Sequence, residues 1–190
     1  MRFRFLIVIL SMLMAVSPAK AEMLATFYTH DFDATYFPHA FIRLQGTIEE
    51  TGEVIDTNYG FTAKSTTPAI LFGSVRHMME TKKLKYVEKS DAHFTLRLDD
   101  DGYAKLMTLM EKWRDMPGKG YNLGKRNCVH FAMEAAVIFG IEVNRKSKFF
   151  KKPKSFMEEV MQLNPDLALI KPSAQDALGE PVQIASKPVE

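Results

Sequence analysis

Tyr121-Asn122-Leu123-Gly124-Lys125-Arg126-Asn127-Cys128-Val129-His130-Phe131 is the stretch from which the rest of the chain is read. It holds the single cysteine of the 190 residues. A Gly/Asn-rich basic loop runs into Asn127-Cys128, and an apolar run from Phe131 to Phe139 follows. That run reads as a buried helix that begins near Cys128 and stops near Gly140. At a helix N-terminus, unpaired backbone N–H groups and the macrodipole favour negative charge. A thiol placed there is expected to have a lowered pKa and a larger thiolate fraction. Cys128 is therefore a candidate nucleophile, and the chain must supply a base and a group to orient it. The bland alternative is a buried inert cysteine, packed as a small hydrophobe.

The N-terminus carries a different kind of signal. Arg2 and Arg4 precede an apolar run from Phe5 to Val16, and Ser17-Pro18-Ala19-Lys20-Ala21 follows. A charged start, a short apolar core and an Ala-x-Ala end are the parts of a secretory signal peptide. The run is shorter than the roughly 20 residues of a membrane-spanning helix. Cleavage after Ala21 and export to the periplasm or beyond are expected, with no transmembrane segment afterwards. Arg2, Arg4 and Lys20 would leave with the signal, which takes 25 basic residues to 22 against 23 acidic ones. A near-neutral chain has no global electrostatic basis for binding nucleic acid. One cysteine in an oxidising compartment has no internal disulfide partner, so the thiol needs a reason to persist.

Along the mature chain the signals alternate between strand and helix. Residues 23–29 read as a strand, and His39 to Gly46, directly after Pro38, as a second. Glu49-Glu50-Thr51-Gly52 is a turn that leads into a third strand over Glu53 to Phe61, so the two runs form a hairpin. Residues 62–69 are Ser/Thr/Pro-rich and read as a surface loop. Ile70 to Met79 is open between strand and helix. Lys85 to Glu88 and His93 to Leu98 read as strands. Asp99-Asp100-Asp101 supplies N-cap acceptors for a helix over about Gly102 to Met116. Its apolar face is Tyr103, Leu106, Met107, Met110 and Trp113. Ser155 to Leu163 is a short helix stopped by Asn164-Pro165. From about Lys171 the chain is polar and reads as a disordered tail. The order points to an α+β domain over residues 22–165, an antiparallel sheet packed against helices, with residues 166–190 as tail.

Five histidines compete for the role of base. His130 lies about 200° around the helix from Cys128 and is a poor partner for it. His39 opens a strand inside the apolar segment Phe37-Pro38-His39-Ala40-Phe41-Ile42 and is the candidate. His30, at the end of the first strand beside Asp31 and Asp33, is placed to line the same cleft as a substrate-binding residue. His77 and His93 read as structural. A hairpin turning about Glu50-Thr51 sets residues 62 down to 58 opposite His39 to Arg43. Asn58 then shares side-chain parity with His39 and is the candidate orienting group, with Asp56 and Thr62 as alternatives. Tyr121 and Asn122 precede the helix and either line the cleft or only shape the turn. The Cys and His spacing gives no metal-ligand set, and no cofactor is implied.

His39-Ala40-Phe41-Ile42-Arg43-Leu44 with Gly46, then Asn58-Tyr59-Gly60-Phe61, then Asn127-Cys128-Val129-His130-Phe131 resembles, in that order, the circularly permuted papain-like (NlpC-like) superfamily. In that group the histidine strand precedes the cysteine helix. The resemblance spans roughly residues 24–140. It implies Cys128 as nucleophile and His39 as base, and leaves the third residue open. It implies a thiol hydrolase, a peptidase, amidase or acyl hydrolase or transferase, and with the expected export the substrate is a cell-wall peptide or a lipid-linked acyl group of the cell envelope. A monomer is expected. The rival readings are a non-catalytic envelope-binding module on the same scaffold and a secreted effector directed at another cell's envelope.

Overall fold

The structure, a computed structural model, describes residues 23–32 and 37–167. The expected signal peptide, residues 1–21, and the expected disordered tail from Lys171 lie outside the described residues. The sheet has five antiparallel strands in the order β4-β3-β2-β1-β5. They are β1 (Met23–His30), β2 (His39–Thr47), β3 (Val54–Ala63), β4 (His77–Glu80) and β5 (Asp91–Leu98). The helices are α1 (Ala69–Phe72), α2 (Leu84–Val87), α3 (Asp100–Arg114), α4 (Cys128–Val137) and α5 (Pro153–Leu163). None among the described residues is long and apolar enough to cross a membrane.

Strand alternation decides which side chains meet. Successive residues of a strand point to opposite faces. Ala40, Ile42 and Leu44 of β2 join Phe61 of β3 in the main core, where Trp113, Phe131 and Phe156 from the three long helices pack. Phe41 joins a smaller cluster with Tyr28, Tyr86 and Val87. Phe27 of β1 stacks on Phe94 of β5 at 4.4 Å between ring centroids.

The β2–β3 hairpin has the register that its turn residues imply. Ile42 pairs with Tyr59 and Arg43 with Asn58, about a turn in which Gly52 takes a φ of 71°. That φ lies in the left-handed region that favours glycine. The Asp99-Asp100-Asp101 run serves two ends. Asp99 accepts from the Gly102 N–H and caps α3 at 2.8 Å. Asp100 accepts from the N–H groups of Glu49 and Glu50 at 2.9 and 2.8 Å, tying the hairpin turn to the same helix.

One segment differs from the sequence reading, and one left open is resolved. The Lys85–Glu88 run is the short helix α2 rather than a strand. Tyr86 and Val87 favour strand by propensity, but both are buried in the smaller cluster, and packing overrides so short a local signal. Ile70–Met79 divides into the one-turn α1 and the edge strand β4, whose Met79 pairs with Phe61.

Candidate active site

Cys128 is the first residue of α4, and Asn127 is its N-cap. The Asn127 side chain is 2% exposed and binds in four directions. Its Oδ1 accepts from Val129 N–H at 2.9 Å and His130 N–H at 3.2 Å. Its Nδ2 donates to the carbonyls of Leu123 at 2.8 Å and Phe150 at 2.7 Å. His130 completes a capping box, with Nδ1 2.9 Å from Asn127 Oδ1 and its ring stacked on Phe150 at 4.4 Å. The Asn-Cys-x-His spacing therefore builds a rigid helix start that fixes Cys128. His130 is a capping residue; an N-cap Asn with a hydrogen-bonding side chain three residues on is the sequence signal for it. Asn127→Ala removes a cap and leaves two partly buried carbonyls short of a donor. Each loss contributes about 1 kcal/mol, so the variant is expected to be less stable by about 3 kcal/mol in urea unfolding.

The thiol is 5% exposed. Burial pushes it up to about 11, against the pull of three backbone N–H groups, those of Ala40, Val129 and Cys128. The Ala40 N–H belongs to the peptide that joins it to His39. The sulfur of α4 is thus held against the first peptide of β2. Cys128 packs in the core cluster that contains Ala40, whereas His39 leans the other way, its ring parallel to that of Phe41 at 6.3 Å.

His39 is buried, and its Nε2 has no hydrogen-bond partner. The ring lies on the backbone of β3 at Gly60, where a Cβ would come within 2.3 Å of Nε2. Burial, then the charges of Lys82 and His30, lower its pKa to about 3. At neutral pH the resting pair is a neutral imidazole and a protonated thiol, not a thiolate in waiting. The N–H groups of the helix start pull the thiol down, but desolvation is the larger effect and the net shift is upward, which corrects the sequence expectation of a lowered pKa. Native-state alkylation by iodoacetamide is therefore expected to rise about tenfold per pH unit from pH 7 towards 11. A plateau reached below pH 8 would show a thiolate at rest.

The other candidates have partners of their own. Asn58 does not orient His39. Its Nδ2 donates to the Lys82 carbonyl and its Oδ1 accepts from the Lys82 N–H, both at 2.8 Å, so the amide is spent on the loop after β4. It has the right parity but sits opposite Arg43, four residues along β2. Asp56 is bound to Arg43 in a two-point ion pair, 3.0 Å at each contact. Asn122 shapes the turn, accepting from Gly124 N–H at 3.0 Å and donating to Ser74 Oγ at 3.1 Å. His30 pairs with His39 across β1 and β2, stacks on Tyr86 at 4.2 Å and lies 3.1 Å from Ser90 Oγ. His77 and His93 are structural: His77 is bound by Arg114 O and Gly120 N–H, and His93 by Thr29.

A cleft of about 690 Å³ opens at this end of the sheet, lined by His39, Thr62, Lys82, Tyr86 and Tyr121 among others. Tyr121 reaches both sides of the site: it stacks on Phe61 at 5.8 Å, and burial and the nearby sulfur raise its hydroxyl pKa. Gly60, Lys82 and Tyr86 were not picked out by sequence reasoning. For Gly60 the signal was present, since a glycine inside a strand marks a close approach. No group of three His, Cys, Asp or Glu side chains gathers as a metal site among the described residues.

A solved effector structure is similar. It is the crystal structure of the type VI secretion system effector TseH, at 14% identity and a TM-score of 0.49, covering 76% of this chain and 90% of that one. A likeness of that degree assigns neither activity nor substrate. No protein-family model matches the sequence, and no curated protein matches it.

Proposed function

We propose that this chain is an exported cysteine hydrolase of the permuted papain-like kind, cleaving an amide or ester bond in a cell-envelope substrate. The observation that carries the reading is the contact of the Cys128 sulfur with the His39–Ala40 peptide, at a helix start clamped by Asn127. Cys128 attacks the carbonyl carbon as its proton passes to His39. Proton transfer and attack proceed together, because neither charged partner is stable alone in so dry a site. In this reading the Cys128 N–H at the start of α4 serves as an oxyanion donor, and the Tyr121 hydroxyl, kept protonated by burial and the nearby sulfur, as a second. His39 then protonates the leaving group and activates the water that frees the acyl enzyme. Export rests on the signal peptide read from residues 1–21, and with it a cell-wall peptide or a lipid-linked acyl group as substrate.

One observation favours a binding module instead: the thiol is buried, with its pKa raised. Incubation with purified peptidoglycan and with phospholipid esters, followed by mass spectrometry of the products, separates the two. Cleavage of either supports the hydrolase; retention of intact ligand without cleavage supports the module.

A further inference from the structure

The rim of the cleft has two unlike banks. On one, Thr66-Thr67-Pro68 leads into α1, a single turn with no buried residue. Leu71 is 73% and Phe72 88% exposed, and Phe37, facing the same cleft as Leu71, is 65% exposed. α1 is an ordered projection, since the Ile70 and Leu71 N–H groups donate to the carbonyls of Thr67 and Pro68 at 3.1 and 3.0 Å. Large apolar side chains grouped in water around one opening mark a docking surface. On the other bank stands Lys151, within a run, residues 145–154, that holds six basic side chains and no acidic one and in which Lys154 is bound to Asp31 and Asp91 at 3.3 and 2.8 Å. Lys151 lines the cleft with Lys64 and Lys82. The carboxylate in the lining, Glu80, is bound to the Lys82 ammonium at 2.6 Å.

We propose that this rim docks onto the surface of an anionic phospholipid bilayer. The charge is local, because the chain beyond the signal is near neutral. Apolar anchors and lysines at one mouth match a lipid interface, where phosphates and acyl chains lie within one layer. An anionic polymer would engage the lysines and leave Leu71 and Phe72 in water. Docking sets the cleft opening against the headgroups; that it presents a scissile bond to Cys128 rests on the hydrolase reading, whereas the docking itself does not.

The test is co-sedimentation of the protein, purified after expression of the 190-residue chain, with vesicles of phosphatidylglycerol and phosphatidylcholine or of phosphatidylcholine alone. Three variants run beside it: Leu71→Ser/Phe72→Ser, Lys151→Glu/Lys152→Glu and Cys128→Ala. All carry the same N-terminus, so the ratio to wild type isolates the rim. Thermal melts confirm folding, and both rim pairs are exposed. The expected result is binding to the anionic vesicles that weakens about tenfold in each rim variant, weakens in high salt, and is unchanged in Cys128→Ala. No binding to anionic vesicles overturns the proposal. So does binding that either rim variant leaves at the wild-type level, as an electrostatic polymer site or an unrelated apolar segment would give. Failure of the hydrolase reading would appear separately, as loss of nothing in Cys128→Ala when cleavage is assayed.

Discussion

Cys128→Ala is expected to lower hydrolysis of the proposed envelope substrate by about 10³-fold or more, and to leave the fold in place. The size follows from the role: a nucleophile cannot be bypassed by binding or by an oxyanion hole alone, and removal of such a group erases most of the rate. Stability is expected to change little. The sulfur is a single atom at the first turn of α4, and the clamp that fixes that turn belongs to Asn127. The two readouts, product formation and the urea midpoint, have to move apart. A variant that loses both has only been unfolded, and Cys128→Ser, close in volume, then decides. A variant that keeps full activity ends the nucleophile reading.

Gly60→Ala has the second largest expected effect, and it acts through His39. A Cβ at Gly60 would stand 2.3 Å from Nε2, 3.1 Å from Cε1 and 3.2 Å from the Phe41 Cβ. Phe41 is fully buried and has nowhere to go, so the imidazole must move. A displacement of about 1 Å of a catalytic base costs about 10²-fold in rate. The crowding itself costs about 1–3 kcal/mol of stability. Gly73→Ala is the matched control, since a Cβ there meets nothing within 4 Å. Activity lost at position 60 and kept at 73 ties catalysis to the ring's seat on β3. Equal activity in both would remove His39 from the mechanism.

The parts of the fold that the sequence makes legible are those set by periodicity and turn chemistry. The β2–β3 register follows from the turn at Glu50-Thr51 and from Ala40, Ile42 and Leu44 sharing one face, because a slip of one residue would bury Arg43 and expose Ile42. The N-cap role of Asp99 and the start of α4 at Cys128 follow from local preference. The orienting group was not legible. Parity puts Asn58 on the same face as His39, but parity says nothing of the Lys82 backbone, brought near by the turn after β4, that takes up its amide. The imidazole instead rests on Gly60, a residue with no side chain to signal its part. Nor does the helix-start argument reveal how dry the thiol is, since burial depends on Phe61, Trp113 and Phe131 arriving from three separate elements.

The central claim is that the sulfur of α4 and the imidazole of β2 act as one nucleophilic unit. Rapid mixing of the protein with 4-nitrophenyl acetate, followed by peptide mapping, tests it most directly. The account expects a burst of nitrophenolate with an acetyl group on Cys128, lost in Cys128→Ala and strongly slowed in His39→Ala. A burst that survives in Cys128→Ala, or is as fast in His39→Ala as in the wild type, would contradict it.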